Sequence, residues 1–499
     1  MDLLANLDLG LAVAVSPQNL MWCLVGCLLG TLIGVLPGVG PVATIAMLLP
    51  VTFHLTPVSA LIMLAGIYYG AQYGGSTTAI LMRMPGESSS VVTCLDGHAM
   101  ARKGRAGAAL TIAALGSFFA GTVATVLIAV ASPLLAALAH QFAAADYFAL
   151  MLLGLVGAVV LAHGSVPKAI AMVLLGLLLG FVGGDVNSGV QRFTFGIPEL
   201  QDGIGFVPVA MGLFGLAEII LNLEKGVDVY GAIARIGSLW PTREEARRAV
   251  PAVLRGTALG SVLGMLPGGG AILSSFTAYV LEKRLSREPQ RFGDGAVEGV
   301  AAPEAANNAG AQTSFVPLLT LGIPENPVMA LMVGAMMIHG IQPGPEVMTK
   351  QPQLFWGLIA SMWVGNLMLL VINLPLVGVW VRLLGIPYRL LFPVILLFCA
   401  IGAYSVANSG FDVLLTAVFG LLGYALAKLR CEPAPLLLAF VIGPLMEENL
   451  RRALLLSRGD PSVFVTRPIS LVLLALTAVL LLSVALPGVR RLRETAFAE

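Results

Sequence analysis

The sequence predicts an all-α, polytopic membrane protein built from two structural repeats that contain broken or re-entrant helices. Three observations lead to this fold class. The chain of 499 residues is 58% hydrophobic and only 11% charged, whereas soluble domains carry about 25% charged residues. Apolar runs long enough to cross a bilayer follow one another along the chain. Two of these runs are interrupted by the same proline–glycine motif.

The composition excludes several other classes of protein. The formal net charge of +1 gives no general attraction to nucleic acid. The 57 glycines favour a bundle of closely packed helices over a single anchor. The five cysteines have neither zinc nor redox spacing, and no nucleotide-binding fingerprint follows a credible strand. We therefore expect no enzyme and no bound cofactor.

The apolar runs predict roughly 11–13 crossings of about 20 residues each. In the first half they lie near residues 18–50 with a central break, 57–82, 107–137, 147–163, 167–184 and 204–222. In the second half they lie near 250–281 with a break, 304–322 together with 327–341, 354–384, 388–406, 411–428 and 433–450, before a last helix near 468–486.

The most polar connector covers residues 223–249 and includes Arg243-Glu244-Glu245. We place the boundary between the halves there. The predicted organisation is a first repeat half over 1–222, the connector over 223–249, a second repeat half over 250–450, and a C-terminal loop with the last helix over 451–499.

The two halves repeat three motifs in the same order. Gly30–Gly40 (GTLIGVLPGVG) matches Gly260–Gly270 (GSVLGMLPGGG) at an offset of 267 − 37 = 230. Gly70-Ala71-Gln72 matches Gly310-Ala311-Gln312 at 310 − 70 = 240, and the turn at Pro85 matches that at Pro324 at 324 − 85 = 239. Paired interruptions of this kind are typical of transporter sites.

Charge asymmetry favours inverted repeats over parallel ones. Basic residues at Arg243, Arg247 and Arg248 precede the second half, whereas the first half is preceded by Asp2 and Asp8. Because positive charge stays on the cytoplasmic side, the two halves are expected to enter the membrane from opposite sides.

The proline–glycine breaks are the first candidate site. Proline lacks an amide hydrogen and glycine accepts unusual backbone angles, so Leu-Pro-Gly-x-Gly unwinds a helix. Its freed amides can face an anion, although a simple kink repaired by neighbouring helices is the alternative. We predict substrate binding by Pro37, Gly38, Gly40, Pro267, Gly268, Gly269 and Gly270.

A polar stripe in the second half is the candidate cation site. Glu304, Asn307, Asn308 and Gln312 share one side of a helix that we expect to begin near Pro303. A carboxylate is costly in the membrane, so it normally faces a partner or a pathway. We predict that these four residues bind the coupling cation; the alternative is a solvated helix at the membrane surface.

Short hydroxyl side chains and exposed amides form a third group. They suit the oxygens of a carboxylate or a hard monovalent cation, whereas hydrogen bonding within their own helix is the alternative. The predicted substrate ligands are Ser76, Thr77, Thr78, Pro85, Gly86, Ser88, Ser89, Pro324 and Asn326. Asp96 and the segment 282–291 are interpreted as solvated loops.

Together these motifs resemble the TctA family, the large membrane subunit of tripartite tricarboxylate transporters. The residues that carry the resemblance are Gly30–Gly40, Tyr69–Glu87 (YGAQYGGSTTAILMRMPGE), Gly260–Gly270, Gly299–Gln312 (GVAAPEAANNAGAQ) and Leu319–Pro327 (LTLGIPENP). The likeness covers nearly the whole chain, roughly residues 18–450.

The resemblance implies a multi-pass permease of the bacterial inner membrane that imports a carboxylate, such as a tricarboxylate, by symport. Its coupling ion would be sodium or a proton. Its partners would be a small membrane subunit similar to TctB and a periplasmic solute-binding protein similar to TctC. A cation/proton exchanger or channel using the same broken-helix site is the alternative function. A membrane enzyme would show clustered Asp, His or Arg at the interface, which the sequence lacks.

Overall fold

A computed structural model describes residues 3–36, 40–139, 141–162, 165–185, 188–225, 236–266, 270–383 and 388–485. These residues are almost entirely helical, which confirms the predicted all-α class. The first-half helices are α1 (Leu3–Ala14), α2 (Pro17–Val35), α3 (Pro41–Thr52), α4 (Pro57–Met82), α5 (Thr93–Met100), α6 (Ala106–Ala139), α7 (Ala144–Leu161), α8 (Val166–Gly180), α9 (Phe206–Ala210) and α10 (Ala217–Lys225). Strands β1 (Gly183–Gly184) and β2 (Gln191–Arg192) form a small antiparallel hairpin between α8 and α9.

The second half follows the connector and is again helical. Its helices are α11 (Arg243–Leu263), α12 (Gly270–Leu285), α13 (Glu298–Thr313), α14 (Phe315–Leu321), α15 (Pro327–Ile338), α16 (Glu346–Lys350), α17 (Pro352–Asn373), α18 (Val377–Leu383), α19 (Tyr388–Ala407), α20 (Gly410–Lys428), α21 (Ala434–Leu456), α22 (Val463–Thr466) and α23 (Pro468–Ala485). Proline at the first helical position begins many of them, as its fixed backbone angle favours.

The helices support a polytopic membrane protein. Within the described part of the chain, five helical stretches are long and apolar enough to cross a bilayer, and six shorter helices are also apolar. The five are Pro17–Val35, Thr93–Ala139, Phe206–Glu224, Pro352–Asn373 and Gly410–Lys428. Several predicted spans agree closely with observed helices, such as 57–82 with α4 and 411–428 with α20.

Two predicted boundaries in the second half are wrong. The span 304–322 begins at Glu298 and is divided at Ser314 into α13 and α14. Pro303 therefore lies inside α13 and not in a first turn. Sequence favours extended backbone before a proline, but here packing overrides that preference, because Gly256 of α11 lies against the backbone of Ala302.

The first half contains a seam of glycines between α2 and α4. Gly26, Gly30 and Gly34 of α2 lie so close to α4 that a Cβ on any of them would overlap an α4 carbonyl. Their contacts are the carbonyls of Met63, Ile67 and Ala71 respectively. Small residues at four-residue spacing allow membrane helices this close approach.

The second half contains the same seam between α11 and α13. Gly256, Gly260 and Gly264 meet the carbonyls of Ala302, Ala306 and Gly310. These glycines follow those of α2 by 256 − 26 = 230 residues, and their contacts follow those on α4 by 302 − 63 = 239. The repeat is therefore present in the packing as well as in the sequence.

This packing corrects one detail of the sequence alignment. Gly310 corresponds to Ala71 and not to Gly70, so the offset along α4 and α13 is 239 rather than 240. The same offset joins Arg83 and Gly322, which end α4 and α14 in the left-handed conformation with φ of 58° and 74°. That the two repeats are inverted in the membrane remains a prediction.

Ion pairs connect the segments outside the repeats to the helices of the first half. Arg467 donates to Asp146 at 2.7 Å, which attaches the beginning of α23 to α7. Arg105, just before α6, donates to both oxygens of Glu245 in the connector, near the start of α11. This contact holds the pKa of the Glu245 carboxyl below its usual range.

Candidate functional site

The Glu304 carboxylate lies at the junction of the two repeats. The residue is only 1% exposed, on a helix whose side chains from Gly299 to Thr313 are all buried. Ser76 of α4 donates its hydroxyl to one carboxylate oxygen at 2.5 Å, and Thr93 of α5 donates to the other. A solvated helix at the membrane surface is therefore not what the structure shows.

A small cavity of about 10 Å³ opens beside this carboxylate between α4, α6, α13 and α17. A space of this size holds about one water molecule, or an ion of similar size. Its polar lining is Tyr73, Ser76, Thr77, Ser117, Glu304 and Asn373. The cavity is completed by Leu110, Ala113, Ala114 and Leu374.

The predicted stripe of polar residues on α13 divides between two neighbours. Asn308 donates to the Ser117 hydroxyl of α6 at 2.7 Å, and so lies on the cavity side of the helix. Asn307 faces the other way and donates to Glu87 Oε1 at 3.4 Å. The structure thus brings Glu87, which sequence reasoning left out of the site, next to the predicted residues.

Gln312 lies about two turns beyond Glu304 along α13 and takes part in a separate polar contact. Its side-chain oxygen accepts a hydrogen bond from Thr125 of α6 at 2.6 Å. The amide of Asn366, on α17, lies beside Gln312 where Gly121 leaves room. It is fully buried, and neither of its polar atoms is hydrogen-bonded within the described part of the chain. Gln312 therefore belongs to a different part of the bundle from Glu304.

The two repeats exchange contacts around the centre. Asn307 of the second repeat contacts Glu87 of the first. The corresponding residues are 307 − 239 = 68 and 87 + 239 = 326, and the Tyr68 hydroxyl indeed lies close to Asn326. A pair of contacts that repeats when the two units are exchanged indicates a pseudo-twofold relation between them.

The turn before α15 is organised around Glu325. Asn326 caps α15, because its side-chain oxygen accepts from the backbone of Met329 at 2.9 Å. Its amide donates to Glu325 Oε1 at 2.9 Å, and the Ser314 hydroxyl donates to the same oxygen. Gly270, with φ of +45°, directs its backbone N–H towards this carboxylate. The amide predicted to face a substrate carboxylate thus faces a carboxylate of the protein.

Several predicted substrate ligands already have partners in the protein. The Thr78 hydroxyl donates to the carbonyl of Val35 at 2.8 Å, at the end of α2, and Thr77 donates within its own helix to Tyr73. Ser89 donates to Gln72 at 2.9 Å. Of these contacts, the one made by Thr77 matches the alternative of hydrogen bonding within the same helix, whereas Thr78 and Ser89 connect different elements. Substrate binding by these residues stays a prediction.

The remaining predicted ligands occupy varied positions. Gly86 is packed against the carbonyl of Gly34, so it serves close contact between the turn and α2. Gly40 caps α3, and its carbonyl accepts from Thr44 at 3.0 Å. Pro85 and Ser88 are exposed, whereas Pro324 is buried. The predicted ligands that lie outside the described residues are Pro37, Gly38, Pro267, Gly268 and Gly269.

Asp96 and Glu282, interpreted from sequence as solvated, are buried. Asp96 accepts backbone N–H groups of Gly293, Gly295 and Ala296 at 2.7–2.9 Å and attaches α5 to the loop before α13. Glu282 accepts hydrogen bonds from Nε and Nη2 of Arg255 at 2.6 and 2.7 Å. Runs of charged residues were interpreted as loops, and nothing local in the sequence reveals the distant groups that pair with Asp96 and Glu282.

The site residues that sequence reasoning missed differ in the signal that the sequence carries for them. Glu87 and Glu325 stand inside repeated turns, so their position in the motif was a usable signal. Thr93 and Ser117 carry no such signal, because single hydroxyls are common in membrane helices. Within the described residues, no group of three or more His, Cys, Asp or Glu could hold a metal ion.

Comparison with known proteins agrees with this architecture. The sequence matches the tripartite tricarboxylate transporter TctA family over residues 20–438. It is 60% identical over 499 residues to an "Uncharacterized 52.8 kDa protein in TAR-I ttuC' 3'region" of Agrobacterium vitis, covering 100% of this chain and 99% of the relative. It is also 60% identical over 240 residues to an "Uncharacterized protein in TAR-II ttuC' 3'region" of the same organism, covering 48% of this chain and 99% of the relative.

No solved structure matches the chain. The family match spans both repeats and includes every motif that carried the resemblance. The resemblance is thereby confirmed, and with it the expectation of a transporter rather than an enzyme. This multi-pass membrane protein therefore belongs to the tripartite tricarboxylate transporter TctA family.

Proposed function

We propose that the chain is the large permease subunit of a binding-protein-dependent secondary transporter that imports a carboxylate of the tricarboxylate type. The gradient of sodium ions or protons would drive uptake across a bacterial inner membrane. A small membrane subunit and a periplasmic solute-binding protein would complete the transporter. Membership of the TctA family supports the general role, and the geometry around Glu304 supports the coupling.

The observation that carries this proposal is the buried carboxylate between the repeats. Glu304 receives hydroxyl groups from α4 and α5, and no Lys, Arg or His of the described chain lies within ion-pair distance of it. An unpaired carboxylate at membrane depth costs several kcal/mol. A proton or a monovalent cation would remove that cost, and hydroxyl and amide oxygens are suitable ligands for such an ion.

The same charge links cation binding to substrate binding. Glu87 and Glu304 lie near each other, so the site is electronegative whenever both carboxyl groups are ionised. A carboxylate substrate would therefore bind weakly unless a cation arrives with it, since like charges in a region of low dielectric repel strongly. Mutual dependence of this kind is what symport requires.

The test is uptake by liposomes that contain the chain, the small membrane subunit and an excess of the solute-binding protein. A thermal-shift screen of the binding protein against organic acids would first identify the solute. Radiolabelled solute would then be offered with an inward sodium gradient, an inward proton gradient or neither. We expect accumulation only with one of the gradients and only when the binding protein is present.

Two results would overturn the proposal. Uptake that is indifferent to both gradients and to the binding protein would exclude a binding-protein-dependent symporter. Cation flux of full size in the absence of any organic acid would instead indicate the exchanger or channel. Liposomes without the large subunit provide the control for leakage.

A further inference from the structure

We infer that Glu325 is a second cation-binding site, separate from Glu304, and that two cations therefore accompany each solute. This inference rests on the proposed symport function and adds the number of coupling ions to it. Sodium ions and protons share the relevant chemistry, since either neutralises a carboxylate, and the experiment below distinguishes them.

One oxygen of the Glu325 carboxylate is fully committed and the other is open. Ser314 and Asn326 both donate to Oε1, and the N–H of Gly270 points to the same group. Oε2 is buried and accepts no hydrogen bond from any residue that the structure describes, in a residue that is only 3% exposed. A buried acceptor without a partner is unfavourable, and more so when it is charged. A cation at Oε2 would satisfy it.

The groups around the Glu325 carboxylate leave its negative charge unbalanced. The elements packed there contribute the hydroxyl of Tyr68 from α4, the hydroxyl of Ser314, the side chain of Asn326 and the beginning of α12 at Gly270. None of these is basic, and no described Lys, Arg or His forms an ion pair with Glu325. The donors Ser314, Asn326 and Gly270 fix the orientation of the carboxylate, so Oε2 has a defined position.

A single ion cannot serve both carboxylates. Ser314, which contacts Glu325, is ten residues beyond Glu304 and keeps helical backbone angles. At 1.5 Å per residue this places the backbones of Glu304 and Ser314 roughly 15 Å apart along the helix. Oxygen ligands lie about 2.3–2.6 Å from even a large hard cation, so each carboxylate needs an ion of its own.

The first repeat has no equivalent of this site. The residue that corresponds to Glu325 is 325 − 239 = 86, and Gly86 is packed against Gly34 where a side chain would not fit. The site at Glu325 therefore occurs in the second repeat alone. The repeat symmetry adds no third cation site, and the predicted number of coupled cations stays at two.

The experiment uses the complete transporter in liposomes. The solute accumulation at equilibrium is measured against imposed sodium gradients and, separately, imposed proton gradients. Two coupled cations predict that accumulation changes with the square of the effective ion gradient, and that uptake rises with ion concentration with a Hill coefficient between one and two. We expect Glu325→Gln to reduce the exponent from two to one while uptake still requires the gradient.

Glu244→Gln is the matched control, since it removes a carboxylate from the exposed beginning of α11. We expect it to keep the exponent of two. An exponent of one in the unaltered protein would overturn the inference even if the Glu325→Gln variant fails to fold. An unchanged exponent in folded Glu325→Gln would overturn it as well. Absence of any gradient-driven uptake in the unaltered protein would instead contradict the proposed function itself.

Discussion

The helix pair α2–α4 and the helix pair α11–α13 are built on one packing plan. In each, three glycines at four-residue spacing meet three carbonyls on the partner helix, at constant offsets of 230 and 239 residues. Because backbone touches backbone along this seam, any side chain larger than hydrogen would push the helices apart. The seam is therefore the part of the repeat that tolerates least divergence.

The faces away from the seam differ sharply. With the corrected offset, Glu304, Asn307, Asn308 and Gln312 of the second repeat correspond to Ala65, Tyr68, Tyr69 and Tyr73 of the first. One copy thus carries a carboxylate and amides at positions where the other carries an alanine and three tyrosines. The two copies share the packing that fixes the helices and divide the chemistry between them.

The turns that follow α4 and α14 differ in how exposed their residues are. In the first repeat Pro85 and Ser88 are exposed and Glu87 is half-buried, whereas in the second repeat Pro324 and Glu325 are buried. The turn of the first repeat is therefore the more exposed, although Asn326 and Pro327 of the second are partly exposed. A cation that enters past the first turn would meet Glu87 first and then Asn307 and Glu304.

The largest expected effect is the loss of the carboxylate that only the second repeat carries. Glu304→Gln keeps the size of the side chain but removes the charge that would balance a cation. Hydrogen bonds to a charged group are worth about 1.5–3 kcal/mol each, so we expect gradient-driven uptake to fall by at least about 100-fold. Uptake by liposomes would be measured beside Glu244→Gln, which should remain active.

Solute binding by the separate binding protein provides a check on this result. It should be unchanged by either variant, so that a loss of uptake is assigned to the membrane subunit. If Glu304→Gln is folded and transports at the normal rate with normal cation dependence, the role proposed for this carboxylate is wrong.

The next effect tests whether the two seams are equivalent. Gly30→Ala and Gly260→Ala each place a Cβ against a carbonyl, of Ile67 and Ala306 respectively. Overpacking of this kind typically costs about 1–3 kcal/mol. We expect both variants to lower the melting temperature of the purified protein by similar amounts. Gly410→Ala is the control, because nothing lies within 4 Å of a Cβ at that position.

Unequal results would show that the seams are not equivalent in stability, even though they are equivalent in geometry. A melting temperature that is unchanged in both would mean that the helices can separate without cost. Either outcome would weaken the view that the glycine seam is the common framework of the repeats.

The seam and the breaks were accessible from the sequence, because repeated glycines and prolines leave a periodic signal. The burial of Glu304 also followed from its apolar surroundings. The partners Ser76, Thr93 and Ser117 come from three other helices, and no local pattern reveals which hydroxyls meet a distant carboxylate. The alignment error of one residue arose because Gly70 and Gly310 look identical in sequence, while the contact depends on which carbonyl faces the glycine.

A smaller effect is expected at the contacts that the repeats exchange. Tyr68→Phe removes the hydroxyl beside Asn326, and Asn307→Ala removes the amide beside Glu87. A net hydrogen bond is worth about 1 kcal/mol, which corresponds to roughly a 5-fold weaker apparent cation affinity for each variant. The measurement is the cation concentration that gives half-maximal uptake.

Combining the two substitutions sharpens the comparison. The contacts involve different residues, so their effects should multiply to roughly 25-fold if they act independently. The double variant could instead have the same apparent cation affinity as either single variant. That result would show that the two contacts form one coupled network and would contradict two separate contacts related by a pseudo-twofold axis. Tyr69→Phe is a suitable control, because its buried hydroxyl has no hydrogen-bond partner.

The smallest effect concerns the beginnings of the equivalent helices α2 and α11. Thr242 caps α11, since its hydroxyl accepts from the backbone of Glu245 at 3.2 Å, whereas Ser16 before α2 makes no side-chain capping bond. Loss of a cap costs about 1 kcal/mol. We therefore expect Thr242→Ala to lower the melting temperature slightly and Ser16→Ala to leave it unchanged, with uptake unaffected in both. Equal losses in the two variants would mean that the hydroxyls stabilise these helices by something other than the capping bond seen only at α11.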